Sequence, residues 1–134
     1  MENDITIKPD LQFSILCDNV RREDNGKMMF IGIFEVIKAL SFPVRHHELF
    51  IVNRWIKGIG SFVEKTRIID SNTGNSLIET EVVNFQLKDI NHAHTLVHRF
   101  VNVVFPGPGK YQVEVLLNNE VIRFYPIILM EERG

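Results

Sequence analysis

A chain of 134 residues with 45% hydrophobic and 24% charged side chains has the make-up of one globular domain, long enough to bury about two-thirds of the surface its unfolded form exposes. Fifteen Lys and Arg against seventeen Asp and Glu leave a formal charge of −2. That balance offers no field to a nucleic-acid backbone or an anionic membrane, so neither is an expected partner. No apolar run approaches the ~20 residues that cross a bilayer, and the polar opening MENDITIKPDL lacks the positive-then-apolar order of a signal peptide. The lone cysteine, Cys17, has no internal disulfide partner, which suits a reducing compartment; the expected location is the cytoplasm.

In chain order, residues 1–9 read as a flexible arm ending at Pro9, and residues 10–134 as one domain without repeats or linkers. LQFSILC (11–17) alternates, with Leu11, Phe13, Ile15 and Cys17 on one side. Cys17 then reads as a small buried apolar residue rather than a catalytic thiol, since no base stands near it in the sequence. VRREDNGK (20–27) closes a polar loop on Asn25-Gly26, a dipeptide that accepts the positive φ of a hairpin turn. MMFIGIF (28–34) is a strand, and EVIKALSFP (35–43) a crossover with one helical turn, ended by Pro43.

ELFIVNRWI (48–56) and SFVEKTRIID (61–70) read as strands joined through Lys57-Gly58-Ile59-Gly60, and SNTGN (71–75) as a turn cluster. LIETEVVNFQLK (77–88) continues as one strand with a bulge near Val82-Val83, where its polar positions change phase. FVNVVF (100–105), YQVEVLL (111–117) and VIRFYPIILM (121–130) follow, separated by PGPG and by Asn118-Asn119. About eight short strands joined by turns predict an all-β, antiparallel β-sandwich, immunoglobulin-like or jelly-roll.

NHAHTLVH (91–98) is the most chemically suggestive stretch, with His92, His94 and His98 within seven positions. As a strand it turns Val97, Val101, Val103 and Phe105 inward and the three histidines outward. As a short helix capped by Asp89 it stacks His94 and His98 one turn apart. Either geometry gathers at least two imidazoles, the donor type that zinc or copper takes, so His92, His94 and His98 are a candidate metal site, with His46 or His47 as further ligands. His92-Ala93-His94 has the HxH spacing of the metal-binding cupins, but the position where that motif carries glutamate falls at His98 or Arg99, and no histidine follows Pro106-Gly107.

Asp18, Arg21 and Arg22 crowd the first loop with Glu23 and Asp24 and are candidate contacts for a polar partner, against the commoner reading of a solvated hairpin. Trp55, between Arg54 and Lys57, is a candidate stacking platform for a sugar. Its parity with Leu49 and Ile51 favours a core anchor instead. No serine stands in a nucleophile elbow, and Gly58 with Gly60 lacks the lysine and helix of a phosphate loop.

CDNVRREDNGKMMFIGIFEVI (17–37), followed by Phe42-Pro43, IIDSNTGN and PGPGKYQVEVLLNNE, resembles a family of small bacterial proteins of unknown function. The resemblance implies a β-sandwich and a bacterial source, and it brings neither an activity nor site residues. The expected function is a non-catalytic binding or assembly module working through protein–protein contacts, by self-association or with another protein. A metal-dependent enzyme or metal-binding protein built on the histidine cluster, with a divalent ion such as zinc, is the alternative. A carbohydrate-binding module using Trp55 is the third.

Overall fold

The computed structural model describes residues 5–133, all of them strands, turns and connections. Among the described residues no helix is long and apolar enough to cross a membrane. Ten strands follow one another: β1 (Asp10–Arg22), β2 (Met28–Ile33), β3 (Val36–Ala39), β4 (Val44–Ile56), β5 (Gly60–Asp70), β6 (Ser76–Glu79), β7 (Val83–Leu87), β8 (Ala93–Phe105), β9 (Gly109–Leu117) and β10 (Glu120–Glu131). One sheet has the order β2-β1-β4-β8, the other β3-β10-β9-β5-β6, with β7 also on β5. The chain crosses between the sheets five times, at β2–β3, β3–β4, β4–β5, β7–β8 and β8–β9. Having β4 beside β8 in one sheet and β5, β9 and β10 side by side in the other is the connectivity of an immunoglobulin-like sandwich.

The inner faces follow from alternation. β9 turns Tyr111, Val113, Val115 and Leu117 inward, and β10 turns Ile127 and Leu129 to the same side, all at most 3% exposed. β4 answers from the opposite sheet with Leu49, Ile51 and Trp55, each fully buried. Asn118 and Asn119 both take positive φ (47° and 68°) in the β9–β10 turn, the pairing that a tight hairpin requires. The Tyr111 hydroxyl donates to the Gly107 carbonyl at 2.8 Å, the tyrosine corner that pins the entry of this strand in sandwiches of this kind.

Several expectations are corrected. The strand at 35–43 holds no helical turn: Ile37 and Ala39 are buried while Val36 and Lys38 are exposed, and this period of two lets β3 pair with β10, in parallel. The second sheet is therefore mixed, and the strands number ten rather than about eight. LIETEVVNFQLK is two strands, β6 and β7, because the pairing with β5 is interrupted at Glu81 and Val82, just after Thr80 bonds Thr66. Of the arm, Met1–Asp4 lie outside the described residues, while Ile7 pairs with Ile59 through two backbone hydrogen bonds of 2.8 and 3.0 Å. Gly58 permits that docking, for a Cβ there would sit 2.7 Å from the Pro9 ring.

In β1 the alternation breaks where the ladder with β4 shifts between Leu11 and Phe13. Leu11 and Leu16 face the core, whereas Phe13, Ile15 and Cys17 fall on the outer side. Even so, Cys17 and the outward-facing Val52 are 0% exposed. The cover comes from the β1–β2 arm. Phe30 pairs with Val20 in the ladder, yet its ring packs edge-on against Phe13 at 5.8 Å. Seven extended residues span roughly 23 Å, so the arm must curl back over the sheet. Gly32 sits at the bend with φ 69°, where a Cβ would overlap the Asp18 carboxylate.

Replacing Tyr111 by Phe removes the corner bond and strands a partly buried carbonyl. We expect a loss of about 1–2 kcal/mol in urea unfolding with an unchanged m-value. A loss below the error of the measurement would mean that the corner is not holding the β8–β9 connection.

Candidate functional site

Parity on β5 places Phe62, Glu64, Thr66 and Ile68 on the inner face. Two of the four are polar, and both are 0% exposed. Glu64 is the unusual one, a carboxylate enclosed between the sheets. Isolated there it would be strongly disfavoured, and the structure supplies four donors. Its Oε1 accepts from His98 Nε2 at 2.6 Å, from the Thr66 hydroxyl at 2.9 Å and from Asn53 Nδ2 at 3.1 Å. Its Oε2 accepts from Trp55 Nε1 at 2.7 Å. Asn53 Nδ2 spends its second hydrogen on Thr66 Oγ1 at 2.9 Å. Asn53 and Trp55 come from β4 and His98 from β8, so the carboxylate ties the two sheets together.

Burial pushes the Glu64 carboxyl up, but the hydrogen bond and charge of His98, with the Trp55 and Thr66 bonds, outweigh it and hold the group below its ordinary value of 4.5. Glu64 is therefore the ionised member. It accepts the Nε2–H of His98 as its shortest hydrogen bond. Among the described residues Nδ1 has no hydrogen-bond partner. Among the side chains of the described residues, Asn53 Oδ1 is an enclosed polar atom left without a partner.

His98, 8% exposed, lines a groove of about 400 Å³ between β8 (Val97–Val101) and the β6–β7 segment (Ile78–Val83). The ring thus connects a closed polar core with an open surface. At the near end of β8, His94 stacks on Phe85 with centroids 5.4 Å apart and planes 19° apart, and Phe85 continues to Trp55 at 5.8 Å. His94 and Phe85 also border a second concavity of about 610 Å³ with Ser61, Asn84 and Gln86.

The three clustered histidines are thus separated by role. His92 closes an exposed turn in which its N–H reaches the Asp89 carbonyl at 2.9 Å. The following residues form a strand, so Asp89 caps a turn and not a helix. His94 and His98 face inward, and the expected phase of β8 is reversed up to Phe100, with Val97 and Val101 outside at 41% exposure. The reason is a local kink: Asn102 takes φ 54°, two successive residues, Val101 and Asn102, face outward, and Val103 and Phe105 then return to the core. Among the described residues no group of three or more His, Cys, Asp or Glu could hold a metal ion, so the structure does not gather His92, His94 and His98 into one donor set. His46 lies against Phe34 at 5.7 Å, and His47 is exposed.

Trp55 is fully buried and donates to Glu64, which removes it as a surface platform for sugars. Asp18, Arg21 and Arg22 are exposed on the β1–β2 arm, with Asp18 set against the Gly32 bend. Residues that sequence reasoning passed over are Glu64, Thr66 and Asn53. The legible signal was two polar residues at the core parity of an otherwise apolar strand.

Removing Glu64 strands the donors of His98, Trp55 and Asn53 between the sheets. Glu64→Ala is expected to cost about 3–5 kcal/mol in denaturant unfolding. Because the folded value of Glu64 is lowered, its contribution is intact above 4.5 and is lost as pH falls through the folded value. The acid limb of a stability–pH profile should therefore flatten in Glu64→Gln, and an unchanged acid limb would contradict an ionised Glu64.

Comparisons with known proteins agree with the fold. None of the curated proteins matches the chain. Among solved structures, the alkylpurine DNA glycosylase AlkC of Pseudomonas fluorescens, bound to DNA containing an abasic-site analogue, superposes with a TM-score of 0.51 at 12% identity. The match covers 87% of this chain but 30% of that protein, and at this identity it shows a shared sandwich fold alone. The sequence pattern of a family of unknown function, DUF6941, matches residues 12–130, and the chain belongs to that family.

Proposed function

We propose that the protein is a non-catalytic binding module that takes an extended segment of a partner protein along the free edge of β8. One observation carries this reading. β8 is 13 residues long and closes one side of its sheet with no strand beyond it. The strands that end the sheet orders elsewhere, β2, β3, β6 and β7, have six, four, four and five residues, while residues 10–15 of β1 and 120–127 of β10 also have a strand on one side only. Short edges are how sandwiches avoid unwanted pairing, and a long one with free N–H and C=O groups is a template for strand addition. Its outer row of Val97, Val101 and Val104, 41–43% exposed, carries one charge, Arg99, already paired with Glu48 at 2.6 Å.

His98 has a carboxylate behind it and an open groove before it. A buried lone cysteine fits a reducing compartment, and we place the module in the cytoplasm on that ground. The formal charge of −2 gives no reason to carry the DNA ligand of the structural neighbour over to this chain.

Hydrogen exchange read amide by amide tests the reading. In dilute free protein, the β8 amides that point away from β4 should exchange fast. An excess of a neutral extended peptide of alternating Val and Thr should slow them while leaving β2 unchanged. Protection that depends on protein concentration instead would identify a second copy as the occupant. Slow exchange along all of β8 in dilute protein, or peptide protection elsewhere, would contradict the proposal.

A further inference from the structure

We infer that β2, at the end of its sheet opposite β8, pairs edge to edge with β2 of a second copy, antiparallel about a two-fold axis at Ile31. β2 has a ladder with β1 on one side and no strand on the other. Its sequence, MMFIGI, contains none of the charged residues or prolines that keep an edge from pairing. Met29, Ile31 and Ile33 alternate along one face and are 43%, 41% and 65% exposed. The opposite face turns Phe30 onto Phe13, so the apolar row is the side of the β1–β2 arm that looks to solvent. Six residues make a short ladder, in which backbone bonds alone favour no particular partner. The side chains must select one.

They select the strand itself. Lys27 and Glu35 flank β2, both exposed and neither in an ion pair among the described residues. Lys27 continues the register of the hairpin, since its carbonyl accepts from the Glu23 N–H at 2.8 Å. An antiparallel copy centred on Ile31 sets Lys27 opposite Glu35, Met29 opposite Ile33 and Ile31 opposite itself. Phe30 then stands opposite Gly32, where no side chain competes with its ring for space. Moving the axis by one residue, to Phe30 or to Gly32, sets Lys27 against Ile33 or Glu35 against Met29 and loses the ion pairs. Opposite charges and apolar pairs at facing positions stabilise an antiparallel ladder, and the two-fold axis supplies the Lys27–Glu35 pair twice. The joined sheet runs β8-β4-β1-β2-β2-β1-β4-β8, so the dimer carries a free β8 edge at each end.

Sedimentation velocity of the full chain from micromolar to millimolar concentration tests the inference, with far-ultraviolet circular dichroism as the control for folding. We expect a dimer whose dissociation constant rises about tenfold in Lys27→Glu and in Glu35→Lys, as two facing pairs turn from attraction to repulsion. In the variant carrying both substitutions it should return to near the native value. Ile31→Lys, which sets two like charges across the axis, should leave only monomer. A native chain that stays monomeric at millimolar concentration overturns the inference. A dimer that withstands Ile31→Lys overturns the assignment to β2, and single reversals that the double variant does not repair overturn the register about Ile31.

Discussion

A single carboxylate enclosed between two sheets sets the terms for much of this structure. Glu64 accepts from His98, Asn53 and Thr66 on Oε1 and from Trp55 on Oε2. Each donor lies on a strand whose register is thereby constrained: a slip of one residue in β4 or β8 would turn Asn53, Trp55 or His98 away and leave the charge alone. Buried charges of this kind are poor devices for stability, because apolar residues of the same shape often do as well or better. The network is better understood as fixing position, in particular that of one ring on an edge strand.

That ring lies where the sandwich is least closed. β8 is held on its inner face by His98, Phe100, Val103 and Phe105 and along one side by its long ladder with β4, while its other side is free. Opposite it, the break between β6 and β7 leaves the second sheet without a continuous strand at the same level. A rigid edge beside a gap is a preorganised place for an extended chain, since little needs to be ordered on binding. The fold thus supplies the scaffold and the break supplies the opening.

The sandwich was legible in the sequence because β9 alternates cleanly and the turns carry Asn, Gly and Pro. Strand faces were harder to read wherever the period of two is interrupted. The slip after Leu11 moved Phe13, Ile15 and Cys17 to the outer side, and the curled β1–β2 arm then buried Cys17 there, so a correct burial went with the wrong face. The kink at Asn102 hid the inward direction of His94 and His98, because a reader counting back from Val103 and Phe105 assigns the opposite parity. The histidine spacing pointed to His98, whose partner in the structure is a carboxylate. Its partner, Glu64, lies 34 residues away in sequence, and no local pattern pairs them.

The central claim is that Glu64 is ionised inside the sandwich and takes its hydrogen bond from His98. The most direct measurement is the carboxyl carbon resonance of Glu64, followed by nuclear magnetic resonance as the solution is acidified. The account predicts a carboxylate shift at neutral pH that persists below the ordinary midpoint of 4.5, with a matching change at His98 when it is finally lost. A midpoint above 4.5, the behaviour of an acid kept neutral by burial, would contradict it.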